Sequence, residues 1–259
     1  QREIDRERLH WPGFGFTVSE NCAHRGRPVT QDSSVSSPTD GDEAFLLNTL
    51  QSDDPVRTRC MLALIRVVAR NGFAAASVHD VCRLSGGSPD DSCRRFASLD
   101  DCFLHAYDQT HFALVEALKT AYLREPASRH WCDYVERTTD TLLDFFAASS
   151  DSAVALMGEI DDAGPVARMA HRQALSHMAR LYRRVYQVRM SEQPELPQLP
   201  LEIFELGTHG LARLISFAAR EGRAPSIRAL RPVVMHMNHA LFGWHEGDYR
   251  PPEREQLLP

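Results

Sequence analysis

The sequence lacks most of the features that mark secreted, membrane-bound and metal-binding proteins. Its six cysteines are scattered without a short CxxC pair, so they indicate reduced thiols in the cytoplasm and not a disulfide framework. No apolar run reaches the length of a membrane span, so no membrane partner is expected. No long apolar core precedes a cleavage site near the N-terminus, so we expect no signal peptide.

Motifs of enzymes and cofactor-binding proteins are also missing. The chain contains no GxSxG, P-loop or GxGxxG motif, so nothing favours an enzyme and no cofactor is expected. His236 and His239 lie three residues apart and His245 follows them. A zinc site needs three or four convergent ligands, and no carboxylate or thiol motif lies nearby. We therefore expect ordinary polar histidines there and no metal.

The composition is that of an ordinary globular protein. Of the 259 residues, 43% are apolar and 25% are charged, which allows one large domain or two modest ones with a sizeable core. The formal net charge is −6, and arginine supplies nearly all of the positive charge because Lys119 is the only lysine. Between Asp53 and Leu99, however, seven arginines outnumber five aspartates, which makes that segment weakly basic.

Three helix-sized segments separated by short turns lie between Pro55 and Phe103. Asp54 precedes a proline at the start of the first, whose apolar residues recur at helical spacing. Ser77 is placed to cap the second helix. The turn Ser85-Gly86-Gly87 separates it from a third helix that begins at Ser88. Two short helices joined by a glycine turn predict a helix-turn-helix, whose second helix enters the major groove of DNA.

A set of positions in this segment forms a more specific sequence pattern than a helix-turn-helix motif alone. Its members are Arg57, Ala63, Val67, Val68, Gly72, Phe73, Ser77, Val78, Asp80, Val81, Gly86, Ser88, Phe96 and Ser98. Their combination and spacing resemble the DNA-binding domain of the TetR family of bacterial transcriptional regulators. The resemblance implies a homodimer, a larger helical ligand-binding half, and repression at a double-stranded DNA operator that a small molecule relieves.

The expected DNA contacts lie in the second half of this segment and at two helix starts before it. They are Arg57, Ser77, Ser88, Pro89, Asp91, Ser92, Cys93, Arg94 and Arg95. Ser88 through Arg95 would form the recognition helix and its entry, with Arg94 and Arg95 as the cations for guanine or phosphate. Ser77 would place a hydroxyl and exposed amides near a phosphate. Arg57 would add a contact to the DNA backbone.

Departures from the family pattern leave a second interpretation open. Gly87, Cys93 and Leu99 stand where the family usually has an apolar residue, a tyrosine and a lysine. Asp90 and Asp91 add negative charge where DNA would lie. The chain could therefore be a TetR-like helical small-molecule-binding protein with weakened or lost DNA recognition. Cys93, which lies beside two arginines, is also a candidate redox-sensing thiol.

From Leu99 onward the apolar residues recur at helical spacing almost throughout, and no alternating strand pattern occurs. We predict an all-α fold with a helix-turn-helix domain at 43–102 and a larger helical ligand-binding and dimerisation domain at 103–245. Helices are expected at 100–124, 128–148, 150–160, 166–190, 201–221 and 226–244. Residues 1–42 would be an extension, mobile in part, and 246–259 a polar tail. His24 to Pro28 resembles the core of an AT-hook, the alternative being a solvated tail.

Aromatic and methionine side chains are frequent in the middle helices, where the family encloses its ligand. The expected pocket residues are Phe112, Trp131, Phe145, Met157, Met169, His171, Met178, Tyr182 and Phe204. His177 and His209 are further candidate polar contacts. We expect an enclosed cavity of roughly 300 Å³ or more within 103–215, suited to an apolar or aromatic effector. Many of these side chains must instead belong to the core.

The last two predicted helices carry apolar stripes that would suit a four-helix dimer interface. The expected interface residues are Phe204, Gly207, Leu211, Leu214, Val233, Val234, Met237 and Leu241. Gly207 and Gly210 would allow two helices to approach closely. The alternative is that both stripes complete the core of one subunit.

Overall fold

The computed structural model describes residues 38–50, 52–87, 95–123, 131–221 and 224–242. These residues form helices and turns and contain no strand, so the predicted all-α class is confirmed. The AT-hook-like segment, the recognition-helix residues Ser88 to Arg94 and the C-terminal tail lie outside the described residues. Among the helices that are described, none combines the length and the apolar composition needed to cross a membrane.

The N-terminal part consists of α1 (Pro38–Thr49), α2 (Pro55–Asn71) and α3 (Val78–Ser85). Local capping explains where α2 lies: the Asp54 carboxylate accepts the Val56 N–H at 2.8 Å, and Gly72, at φ 79°, donates its N–H to Val68 O. Gly86 ends α3 in the left-handed conformation, at φ 70°. These boundaries agree with those predicted from the sequence because capping acts within a single turn.

The remaining helices form the larger part of the chain. They are α4 (Leu99–Leu123), α5 (Trp131–Ala147), α6 (Ser150–Ser152), a π-helix (Ala153–Gly158), α7 (Gly164–Glu192), α8 (Leu201–Arg220), a 3-10 helix (Ala224–Leu230) and α9 (Arg231–Phe242). Two expected helices differ from this. The stretch 150–160 is α-helical only at its start, and the stretch 226–244 begins as a 3-10 helix.

Backbone hydrogen bonding explains both differences. In the first stretch the Glu159 N–H donates to Val154 O at 3.0 Å, five residues back, which is the wider π spacing. In the second, Pro232 has no N–H to donate to the preceding turn. Proline is tolerated in the first turn of a helix, so α9 starts at Arg231 instead of continuing from the residues before it.

The helix-turn-helix part and the later helices share one hydrophobic core. Leu64 and Ile65 of α2 are fully buried together with Phe103 of α4, Leu156 of the π-helix and Ala174 of α7. The boundary expected at 102–103 lies inside α4, which is one continuous helix from Leu99 to Leu123. The two parts are therefore joined by a helix and by common packing, and not by a loop.

Candidate functional site

The start of α3 is held by hydrogen bonds between Ser77 and Asp80. Ser77 Oγ accepts the Asp80 N–H at 3.2 Å and donates to Asp80 Oδ2 at 2.5 Å. The Ser77 hydroxyl, followed by the Arg83 guanidinium, holds the pKa of the Asp80 carboxyl below its usual value. The Ser77 side chain therefore already serves as the helix cap, with its hydroxyl proton used within α3.

Two of the expected DNA-binding arginines make contacts within the protein. Arg95 Nε lies 2.7 Å from Asp54 Oδ2, and 29% of the Arg95 side chain is exposed. The Arg57 guanidinium lies 4.6 Å from the centroid of the Phe96 ring. The pKa of Asp54 is lowered, mainly by the Val56 backbone N–H and further by Arg95. These contacts link Arg95 and Phe96, which precede α4, to the start of α2.

A cavity of about 80 Å³ lies between α4, α5, the π-helix, α7 and α8. Its apolar wall comprises Leu114, Leu142, Phe146, Leu156, Met157, Ala174, Leu175, Met178, Leu211, Ala212 and Ile215. Its polar side chains are Tyr107, Thr110, His111, His171 and Thr208. The location falls within the expected range of 103–215, but the volume is well below the expected 300 Å³, because side chains of five helices converge on it.

The polar end of the cavity is a group of neutral rings. Tyr107 Oη lies 2.8 Å from His171 Nδ1, and the Tyr107 ring stacks against His111 with centroids 6.4 Å apart. Burial lowers the pKa of His111 to about 4, with His177 and His171 adding to the effect. Burial also lowers the pKa of His171 and raises that of Tyr107. Near neutral pH the cavity therefore holds uncharged hydrogen-bonding groups.

Solved structures share this arrangement of helices at low sequence identity. A fatty acid degradation regulator, FadR from Bacillus halodurans, is 13% identical, with a TM-score of 0.63 over 76% of this chain and 99% of that one. FadR from Bacillus subtilis, in complex with stearoyl-CoA, is 11% identical, with a TM-score of 0.58 over 72% of this chain and 98% of that one. The TetR-family regulator PfmR from Thermus thermophilus is 16% identical, with a TM-score of 0.52 over 74% and 98%.

The chain has the fold of the TetR-family regulators. No family model and no curated protein matches the sequence. At identities of 11–16% the likeness concerns the fold alone and assigns neither sites nor ligands.

Three of the pocket residues expected from the sequence lie on the wall of the cavity: Met157, His171 and Met178. Phe112 and Met169 are instead 60% and 48% exposed. Three more belong to an aromatic cluster: Trp131, Tyr182 and Phe204. Phe145 packs against Phe45 and Phe146. Neither of the two further histidine candidates lines the cavity; His209 is exposed and His177 packs against His111.

The aromatic cluster consists of Trp131, Tyr182, Tyr186, Phe204 and Phe242. Tyr182 Oη donates to Asn238 Oδ1 at 2.9 Å, and Tyr186 Oη donates to Pro197 O at 3.1 Å. Phe204 is fully buried among these rings. Trp131, Tyr182 and Phe204 therefore act as packed core, because edge-to-face and stacked rings fill this space.

Sequence reasoning missed the α4 side of the cavity. Tyr107, Thr110, His111 and Leu114 follow one another at intervals of three, one and three residues, which places them on one helix face. Thr208 of α8 was also missed. The spacing on α4 was a readable signal, but the pocket candidates were chosen by residue type and not by their position on one helix face.

The expected dimer residues divide between intrachain contacts and a partly exposed face. Phe204 and Val234 are buried, and Leu211 lines the cavity. A Cβ on Gly207 would lie 3.5 Å from Leu241 Cδ1. The close approach that this glycine permits is thus between α8 and α9 of the same chain, so enlarging it would disturb folding as well as association.

The remaining members of the set are half-buried: Leu214, Val233, Met237 and Leu241. Two α8 residues that the sequence analysis missed are more exposed: Leu206 at 60% and Phe217 at 54%. They are eleven residues apart, close to three full turns, and so lie on one face of the helix. The exposed Arg213 lies between them on this face. Exposed apolar side chains that share a helix face are candidates for an interaction surface.

The C-terminal histidines do not assemble a metal site in the part of the chain that can be described. His236 is exposed, and burial followed by the proximity of His236 lowers the pKa of His239 to about 4. No group of three or more potential ligand side chains occurs among the described residues, and His245 lies outside them.

Proposed function

We propose that the protein is a ligand-responsive, sequence-specific DNA-binding transcriptional regulator that acts as a homodimeric repressor. The observation that supports this best is the course of α4. Near its start Cys102 and Phe103 are buried in the core shared with the helix-turn-helix, and further along Tyr107 and His111 line the cavity. Because one rigid helix spans both sites, a ligand that moves α4 would also move the DNA-binding part.

The π-helix supplies a second connection between the cavity and the helix-turn-helix. Leu156 and Met157 line the cavity, and two residues later Glu159 Oε2 accepts the Phe73 N–H at 3.3 Å, in the turn between α2 and α3. The Arg220 guanidinium of α8 donates to Gly158 O, which holds the same segment from the other side. A ligand that displaces Met157 would therefore shift the residue that receives the Phe73 hydrogen bond.

The exposed face of α8 supports the homodimer. Leu206, Phe217 and the half-buried Leu214 lie on one side of α8, and Val233 and Met237 of α9 retain exposed surface. Pairing this face with its copy across a two-fold axis would bury apolar side chains that one protomer leaves in water. We propose this face, and not the Gly207 contact, as the dimer interface.

A specific observation favours the second candidate, a TetR-like small-molecule-binding protein with weakened or lost DNA recognition. Arg57 and Arg95, two of the expected DNA contacts, are engaged with Phe96 and Asp54. Leu99 offers no cation at the start of α4. A gel-shift titration at low salt with the DNA upstream of the protein's own gene separates the candidates. Retention of that fragment over unrelated DNA supports the regulator, and no retention supports the binding protein.

Alanine replacement of Arg94 is expected to weaken binding to the operator. The loss should be about 1–3 kcal/mol on the operator alone if Arg94 contacts a base. If it contacts phosphate, the loss should be similar on all sequences and the salt slope should fall by about one. Fluorescence anisotropy at several salt concentrations measures both quantities. Unchanged binding by both Arg94→Ala and Arg95→Ala would show that the recognition helix is misassigned.

The Asp54→Asn variant is the control for Arg95. Asparagine keeps the helix cap on α2 but removes the charge that pairs with Arg95. If Arg95 acts only by holding the helix-turn-helix together, Arg95→Ala and Asp54→Asn should weaken binding equally. A loss confined to Arg95→Ala would instead indicate direct contact with DNA.

Replacement of Glu159 by alanine is expected to weaken the response to the effector while operator binding is retained. The variant removes the acceptor for the Phe73 N–H without changing the cavity wall. Couplings between sites are typically about 1–3 kcal/mol, so the effector-induced change in operator affinity should fall several-fold. Operator titrations with and without a compound that releases the wild-type protein measure it. Glu195→Ala, on an exposed segment, is the control; a full response in Glu159→Ala would exclude this connection.

A further inference from the structure

The hydroxyl protons of the cavity are already used within the protein. Thr110 Oγ1 donates to Ala106 O at 2.8 Å, and Thr208 Oγ1 donates to Phe204 O at 3.0 Å. Each of these hydroxyl oxygens keeps lone pairs but has no second proton. Toward a ligand, both threonines can therefore only accept a hydrogen bond.

The hydroxyl proton of Tyr107 is also used in a hydrogen bond within the protein. Its oxygen lies 2.8 Å from His171 Nδ1, and either group could in principle supply the proton. Burial disfavours the charged form of each, so both are neutral. A phenol is the stronger acid and an imidazole nitrogen the stronger base, so we assign the donor to Tyr107 and the acceptor to His171. Tyr107 lines the cavity, so its Oη is then a third candidate acceptor there.

The cavity wall carries no formal charge. Its lining residues include no Asp, Glu, Lys or Arg, and His111 stays neutral because it is buried. A carboxylate or phosphate placed here would lose its hydration without gaining a cation. Ring N–H groups of His111 and His171 are the donors that such an anion could find. The site therefore suits a neutral ligand better than an anion.

The size of the cavity limits the ligand further. At about 80 Å³ it is smaller than the roughly 150 Å³ cavity that accepts a benzene ring. Met157 and Met178 on its wall are unbranched and can change rotamer, and their sulfur atoms make favourable contacts with ring edges. Rotamer changes of these side chains would be needed to make room for one ring.

We propose that the cavity binds a small neutral aromatic compound with one O–H or N–H donor, such as a phenol or an indole, and discriminates against carboxylates. The ring would occupy the apolar wall near Met157 and Met178. Its donor would bond to one of the three acceptor oxygens, on Tyr107, Thr110 or Thr208. This inference rests on the proposal that the cavity is the effector site.

Calorimetric titration of the full chain with phenol, anisole and benzoate tests this proposal. Phenol should bind roughly tenfold more tightly than anisole, which has no donor, because an unpaired buried acceptor is costly. Benzoate should bind at least tenfold more weakly than phenol at pH 7.5. Equal affinity for phenol and benzoate would overturn the proposal, and so would the absence of phenol binding at millimolar concentration.

Three variants locate the acceptor: Tyr107→Phe, Thr110→Val and Thr208→Val. At least one should reduce the phenol-to-anisole affinity ratio about fivefold while anisole binding is kept. Thr138→Val is the matched control, because Thr138 Oγ1 also donates to a carbonyl one turn back, Tyr134 O at 2.9 Å, but lies outside the cavity. An unchanged ratio in all three would refute the assignment of the acceptors.

DNA binding provides an independent check on the proposed function. A gel shift with the unliganded protein does not depend on which compound fills the cavity. Phenol selectivity without DNA binding would keep the ligand inference and favour the small-molecule-binding protein. DNA binding without phenol selectivity would keep the regulator and reject the ligand inference.

Discussion

Replacing both Leu206 and Phe217 by glutamate is expected to convert the proposed dimer into a folded monomer. Both side chains are more than half exposed in the protomer, so the change should not disturb its core. In a two-fold interface each substitution occurs twice, and burial of one such side chain contributes about 1.5–3 kcal/mol. The dissociation constant should therefore rise by at least about a thousandfold, or about 4 kcal/mol.

Sedimentation velocity at micromolar concentration measures this change, and circular dichroism verifies that the variant is folded. Phe112→Glu is the matched control, because Phe112 is exposed to the same extent, 60%, as Leu206 but lies on α4. A wild-type protein that is already monomeric would reject the dimer. A double variant that remains dimeric would place the interface on another surface.

The same double variant should lose operator affinity. A helix-turn-helix dimer contacts two half-sites at once, and a monomer keeps only one set of contacts. The loss should appear as a lower affinity for the whole operator with an unchanged weak affinity for a half-site. An equal effect on both fragments would indicate that the glutamates repel DNA directly.

Replacing Phe204 by alanine is expected to lower the free energy of unfolding by about 3–5 kcal/mol. Phe204 has no exposed surface, and its ring centroid lies 5.1 Å from Phe242, 5.6 Å from Tyr186 and 5.9 Å from Tyr182. Truncation would leave a cavity bounded by three large rings, and two of those rings are held by hydrogen bonds to Asn238 and to a backbone carbonyl. The cluster therefore has little freedom to collapse into the space.

Guanidinium chloride unfolding followed by circular dichroism measures this loss. Phe204→Leu should cost markedly less because it keeps most of the volume, and Phe112→Ala on the exposed side of α4 should change stability by less than about 0.5 kcal/mol. A loss below about 1 kcal/mol in Phe204→Ala would mean that the rings repack. Phe204→Ala should leave the phenol-to-anisole ratio unchanged, because Phe204 does not line the cavity.

The sequence predicted the helix-turn-helix boundaries because their causes are local. Asp54, Gly72, Ser77 and Gly86 each act on backbone groups within one turn, so the residue type at one position suffices to begin or end a helix. The break before α8 was readable for the same reason, since the prolines at 194, 197 and 200 exclude helix from that segment.

The sequence alone could not distinguish the residues that line the cavity from those that form the aromatic cluster. Met157, Phe204 and Phe112 belong to the same class of large apolar side chains at helical positions, yet one lines the cavity, one is core and one is exposed. Residue type and helical period indicate on which face of its own helix a side chain lies. They do not describe which neighbouring helix that face meets.

By itself, the sequence determined the all-α class, the positions of most helices and the resemblance to the TetR family, because capping, proline and apolar period are properties of short stretches. The tertiary structure alone decided that Gly207 packs on α9 of its own chain, that Arg95 pairs with Asp54, and that polar side chains of α4 and α7 meet in one cavity. Each of these contacts joins residues from different helices, and such contacts depend on helix packing angles and register, which no local pattern encodes.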